Sequence, residues 1–156
     1  MLATSFLLLV ACGDKGTQVT LPTAQGGVKV TLPWRDGGSI PRQYTCDGAN
    51  RRPAVKVKAN GPPNRIAIVM TDPDAPGGTF VHWTRWGGTE GRNSFGKTGY
   101  DGPCPPAGDS PHRYVVTAYV LKKDPGLPPG AEPGKVVAAI GKLATASGRV
   151  TGRYGR

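Results

Sequence analysis

Between residues 72 and 114 the chain gathers side chains that exchange protons or bind charge. Asp72-Pro73-Asp74-Ala75-Pro76 is followed by His82-Trp83, then by Gly99-Tyr100-Asp101-Gly102-Pro103-Cys104-Pro105-Pro106 and His112-Arg113-Tyr114. Both histidines of the protein lie in this stretch. Imidazole, phenol and carboxylate together can orient and hold a small polar ligand, because each offers donors or acceptors in a fixed geometry. Each proline sets φ near −65° and each glycine permits a close backbone approach, so the loops between these groups are stiff. Residues before proline are pushed to extended geometry, which constrains Asp72 through its backbone. The loop 102–108 can present backbone N–H groups to an anion, although its prolines supply none. The stretch reads as a preformed pocket.

The order, spacing and flanks of these motifs resemble the phosphatidylethanolamine-binding protein family, in its bacterial and archaeal Raf kinase inhibitor-like (YbhB/YbcL-type) branch. Asp36-Gly37-Gly38-Ser39-Ile40-Pro41 with Tyr44-Thr45-Cys46-Asp47-Gly48-Ala49-Asn50 is similar to that branch's opening signature. Gly148-Arg149-Val150-Thr151-Gly152-Arg153-Tyr154 is similar to its closing strand, so the resemblance covers residues 28–156. It implies a mainly β fold, two antiparallel sheets in a Greek-key β-sandwich, with a C-terminal helix near the ligand pocket. It points to Asp72, Asp74, His82, Gly102, Pro103, Cys104, His112 and Tyr114 as ligand-binding. His112 and Tyr114 would donate to phosphate oxygens, His82 would add positive charge when protonated, and Cys104 would offer its backbone N–H. Asp72 would orient a histidine and Asp74 would accept from an ammonium or hydroxyl of the ligand. Trp83 and Tyr100 are expected as pocket wall and core. The segment after His82-Trp83 is shorter than the family's, which trims one wall, and Arg51-Arg52 stands where a small residue is usual, which makes the rim more cationic.

The elements that position these residues read as strands. With 24 glycines and 16 prolines in 156 residues, a helical bundle is excluded and strands with shaped turns are favoured. Residues 28–32 and 55–58 alternate and should be half-buried, while 65–70 is a continuous apolar run and should be central. Residues 79–86 alternate and 113–121 is β-branched and aromatic, so both should pass the site. One amphipathic helix is expected over 136–144, ending near Ser147-Gly148.

Residues 1–11 are mostly apolar and too short to span a bilayer, which needs about 20 apolar residues. With Leu9-Val10-Ala11-Cys12 they read as an export signal resembling a lipoprotein lipobox, with lipid on Cys12. Residues 12–27 would be a flexible tether and 28–156 one domain. This places the protein on the outer face of a bacterial cell membrane. Cys46 and Cys104 are then an even pair, either disulfide-bonded or two buried thiols. The histidines and cysteines lack the spacing of structural zinc sites, so neither metal nor cofactor is expected.

The formal net charge of +10 suits anionic headgroups or phosphorylated ligands. No nucleic-acid motif accompanies it, so nucleic acid is not an expected partner. The leading functional reading is a non-enzymatic binding module for a small anionic, phosphate-containing ligand or phospholipid headgroup. An inhibitor of a kinase or protease acting through the pocket rim is a second reading. An Asp/His-dependent hydrolase is a third, opposed by the lack of an evident nucleophile elbow.

Overall fold

In a computed structural model of the chain, residues 20–22 and 26–156 are described. The elements are β1 (Lys29–Thr31), β2 (Gly38–Ser39), β3 (Lys56–Lys58), β4 (Ile66–Asp72), β5 (Phe80–Trp86), β6 (Thr89–Glu90), β7 (His112–Leu121), α1 (Pro133–Leu143) and β8 (Ala144–Tyr154). β1 and β3 form a small antiparallel sheet, and the rest form a six-stranded sheet in the order β2-β8-β7-β4-β5-β6. β4, β5 and β6 follow one another as hairpins, and β7 then returns beside β4 after a long connection, which is a Greek key. That returning connection carries residues 91–111, and with them the proline-rich loop.

One correction concerns the layers: the large sheet is mixed, because β2 pairs in parallel with β8. The helix lies on the face of the large sheet opposite the small sheet, and its first residues, Pro133 to Lys135, line a groove that shares Pro76 and Phe80 with the histidine cavity described below, so it lies near that cavity without lining it. Alternation explains how one sheet serves two cores. On β4, Ile68 and Met70 face the small sheet with Val30, Leu32, Trp34 and Val116, while Ala67 and Val69 face α1 with Val136, Val137 and Ile140. A strand covered on both faces must be apolar at nearly every position, which is why residues 66–70 read as an unbroken run. Each fully buried Val, Leu or Ile contributes about 1.5–3 kcal/mol.

The helix ends at Leu143, not at Ser147-Gly148 as its composition suggests. Pairing decides this: Ala144 registers with Leu121, and the chain then runs beside β7 to Tyr154. Ladder hydrogen bonds and burial outweigh the helix propensity of a few alanines. Part of the expected tether is also packed. Leu21 contacts the α1 core, and the Tyr119 hydroxyl donates to the Pro22 carbonyl at 3.4 Å. Cys12 and residues 1–19 lie outside the described residues.

Candidate ligand-binding site

Asp72 closes β4 and His112 opens β7, at the end of the sandwich where the apolar rows run out. Thr71 pairs with Val115, so the next step of the register brings Asp72 opposite Tyr114. All three even-numbered residues continue the row of Met70 and Val116 on the small-sheet face. His82 arrives there differently. Met70 pairs with Trp83 but Thr71 pairs with Val81, leaving His82 as the extra residue of a β-bulge. The bulge reverses the alternation of β5, so that Val81 packs under α1 while Trp83, two residues on, packs in the opposite core. Bulges beside functional sites re-aim side chains in this way.

The far wall is the returning loop, held by several ties. Cys46 and Cys104 form a disulfide, with Cα atoms 5.4 Å apart, within the range a disulfide spans. Beside it the Cys46 N–H donates to the Pro103 carbonyl at 3.1 Å, and the Tyr100 hydroxyl donates to the Tyr44 carbonyl at 2.5 Å. Asn50 takes a left-handed backbone (φ 51°), which asparagine tolerates better than most residues, and its amide bridges the loop. It donates to Asp101 at 2.7 Å and accepts from the Gly102 N–H at 2.8 Å. A Cβ on Gly102 would collide with the Tyr44 carbonyl and the Asn50 side chain, so only glycine fits.

Five of the expected residues meet. Asp72, His82, Cys104, His112 and Tyr114 line one cavity of about 280 Å³ with Ala75, Pro76, Phe80, Phe95, Pro105 and Pro106. Polar groups form one part of the lining, and proline and phenylalanine side chains make the rest. Gly102 and Pro103 are buried behind the wall and do not line the cavity; their backbones hold it in place. Asp74 stands outside this cavity, in a neighbouring groove that it lines with His112 and Asp109. Its carboxylate is taken by Arg113, through the backbone N–H at 2.8 Å, Nε at 2.9 Å and a terminal nitrogen at 2.6 Å, and the guanidinium holds its pKa at about 2. It fixes the 72–76 turn to β7 and does not line the cavity. Trp83 is core, with its indole N–H donating to Glu90 at 2.6 Å, and not pocket wall. Arg52 does not charge the rim, because it pairs with the same Glu90 at 2.6 Å and lies over the Trp83 ring.

The two imidazoles differ in what backs them. His82 Nδ1 lies 2.8 Å from the Asp101 carbonyl, which can only accept, so Nδ1 carries the proton and Nε2 is left as an acceptor. Burial pushes the His82 pKa down, against the opposing pull of that carbonyl and of nearby carboxylates. The ring is surrounded by Phe80, Phe95 and Tyr114 at centroid distances of 5.0, 5.6 and 5.3 Å, where a cation is poorly solvated and the neutral form is favoured. His112 Nδ1 lies 2.7 Å from the buried Asp72 carboxylate, and Nε2 is 3.8 Å from Asp109. Tyr114 stands between the two rings, its centroid 6.4 Å from that of His112. Its hydroxyl is buried beside Asp72 without a hydrogen bond of good geometry, and burial, reinforced by the Asp72 charge, pushes its pKa up.

Sequence reasoning missed Phe80, Phe95, Asn50 and Asp109. Phe95 is 47% exposed, unusual for a large apolar side chain, and stacks edge-on against Phe80 at 4.6 Å. No periodic pattern singles it out in a glycine-rich loop. Asn50 stood inside a recognised signature, and its bridging role needed the fold. A larger groove of about 700 Å³ lies beyond Pro76 and Phe80, but its Arg92 and Glu132 satisfy each other at 2.8 Å and it holds no histidine. Among the described residues no cluster of three His, Cys, Asp or Glu is placed to hold a metal.

The architecture is a Greek-key β-sandwich with a His-Tyr-Asp cavity at one end. The phosphatidylethanolamine-binding protein family model matches residues 31–155, and the chain belongs to that family. It is 38% identical over 135 residues to a Mycobacterium tuberculosis protein named "Putative lipoprotein LppC", a match covering 76% of this chain and 67% of that one. It is 30% identical over 179 residues to the Pyrococcus horikoshii UPF0098 protein PH1269, covering 100% and 87%. The crystal structure of E. coli YbcL, described as a member of the mammalian PEBP family, superposes with a TM-score of 0.74 at 24% identity, covering 84% of this chain and 99% of that one. That likeness speaks for the fold.

Proposed function

We propose that the chain is a receptor for a small phosphate-bearing molecule, taken either free or as the headgroup of a phospholipid, and that it is not an enzyme. One observation carries this reading: two imidazoles from different strands, each with Nδ1 engaged by a fixed acceptor, line the same 280 Å³ cavity beside an unpartnered phenol. A buried hydroxyl without a partner costs about 1–3 kcal/mol, which a ligand oxygen would recover. Such a site suits a phosphate that retains one proton. Tyr114 donates to one oxygen, His112, held by Asp72 through Nδ1, turns its Nε2 to another, and the Nε2 of neutral His82 accepts the ligand's P–O–H. The ring of Phe80, Phe95, Pro105 and Pro106 suits the first carbons of an organic substituent.

The lining also argues against covalent catalysis. Cys104 is spent in the disulfide, and the only hydroxyl there is the Tyr114 phenol, whose ionisation burial opposes. We further propose that lipid on Cys12 holds the protein at the outer face of a bacterial membrane, a reading supported by the Leu9-Val10-Ala11-Cys12 motif and by the printed name of the mycobacterial relative. Calorimetric titration with inorganic phosphate and phosphoethanolamine tests the receptor. Saturable binding that weakens on His112→Ala is expected, and equal affinity in that variant removes His112 from the site. Mass spectrometry of the cell-expressed N-terminus tests the anchor, where an unprocessed Met1 refutes it.

A further inference from the structure

The outer face of β7 and β8 carries arginines that nothing in the fold requires. Alternation points Val116, Ala118 and Val150 toward the small sheet, and so points Arg113, Val115 and Thr117 of β7 and Arg149, Thr151 and Arg153 of β8 the other way. On that side α1 covers the end of the sheet bearing Tyr119 and Leu121, leaving Arg149 and Arg153 exposed. Arg113 and Arg153 are direct cross-strand partners, and like charges so placed do not help a sheet. Asp74 neutralises Arg113, but among the described residues no carboxylate forms an ion pair with Arg149 or Arg153. Lys142, exposed in the last turn of α1, adds a further cation to the same side.

The path of the chain indicates what this face meets. Leu21 and Pro22 lie on it, lining a cleft with Val115, Thr117 and Arg149. The N-terminal segment, with the apolar run at residues 2–11 and Cys12, therefore joins the domain on the arginine side. Seven residues lie between Cys12 and Thr20, so the two are joined by eight Cα steps with a reach of at most about 29 Å. We propose that this face of β7 and β8, centred on Arg149 and Arg153, docks on a bilayer containing anionic lipids. Guanidinium groups pair with lipid phosphates in a bidentate manner, and each basic residue near an anionic surface adds to the attraction. Docking this way uses none of the cavity-lining side chains, so the inference does not depend on what the cavity binds.

Vesicle co-sedimentation of the full chain carrying Cys12→Ser, which removes the lipid attachment point, tests the proposal. Neutral phosphatidylcholine vesicles measure what the apolar N-terminus contributes alone. Vesicles with added phosphatidylglycerol should bind more tightly, with an excess that disappears in high salt. Arg149→Glu with Arg153→Glu should reduce binding to the anionic vesicles by at least about tenfold. Lys56→Glu with Lys58→Glu, exposed on the small sheet, makes the same change of four charges on the other side and should have a much smaller effect. No anionic excess, an excess that survives the arginine reversal, or an equal loss from the lysine reversal overturns the proposal. Phosphate calorimetry on Arg149→Glu alone, at a residue that shares no groove with His112, should match the parent, which separates this test from that of the cavity.

Discussion

The two histidines share a cavity yet are held by opposite means. His82 is placed by a bulge and backed by a main-chain carbonyl on a loop clamped by the Cys46–Cys104 disulfide. His112 opens a regular strand and is backed by one side chain, Asp72. A main-chain partner is neutral and cannot be mutated away, so it fixes a tautomer and leaves the ring uncharged. A carboxylate partner stabilises the imidazolium and lets one residue decide whether the ring can carry charge. The pair thus provides an acceptor of fixed kind beside a donor of adjustable charge.

The disulfide should produce the largest effect, since it joins residues 58 apart and ties the His82 wall to the 44–48 turn. Replacing both cysteines by serine should lower stability by about 3–4 kcal/mol in the chain-entropy account. For a domain of this size that is roughly 10 °C in Tm, read by thermal melts with and without reductant. An unchanged melt would mean that the hydrogen bonds of Asn50, Tyr100 and Cys46 hold the wall alone.

The comparison next predicts unequal results from two matched substitutions. Asp72→Asn removes the charge that backs His112 and should weaken phosphate binding by about 10–100-fold. Asp101→Asn leaves the carbonyl that backs His82 in place, so affinity should stay within about threefold while the link to Lys97, at 2.8 Å, is lost. Calorimetry of both variants checks this, and equal losses would erase the distinction between main-chain and side-chain backing.

Much of this asymmetry could not be read from the sequence. The runs at 65–70 and 113–121 were legible because burial on both faces leaves long apolar stretches. The order of aspartate, histidine and proline motifs located the cavity. The bulge at His82 was not legible, since residues 79–86 look like plain alternation, and only the partner strand reveals the extra residue. The ion pair of Asp74 was not legible either, because its partner Arg113 lies 39 residues away and becomes a neighbour through the Greek-key return. β2 and β6, two residues each, are too short for any period to show.

Burial of His82 makes a pH prediction. Its pKa in the folded chain lies below the ordinary 6.5, so the unfolded chain takes up the proton first as pH falls. The associated stability is fully present above about 6.5 and is lost as pH falls toward the lower folded value. His82→Gln should therefore reduce the difference in urea midpoint between pH 7.5 and pH 5. A difference as large as in the parent would show that the folded site accommodates the charged ring.

The smallest expected effect falls at Asp109, on the His112 side. Its carboxylate, half exposed, sits 3.8 Å from His112 Nε2, the nitrogen that must reach an anionic ligand. It helps to orient the His112 ring, which favours binding, and it repels the ligand's own charge, which opposes it. Asp72 already backs the ring from the buried side at 2.7 Å, so the first contribution is largely duplicated while the repulsion is not. Asp109→Asn should then raise phosphate affinity about two- to fivefold, with the gain shrinking as salt screens the exposed charge. A fall in affinity would instead show that the hold of Asp109 on the His112 ring outweighs its repulsion of the ligand, and His112 would then need acidic partners on both sides where His82 needs none.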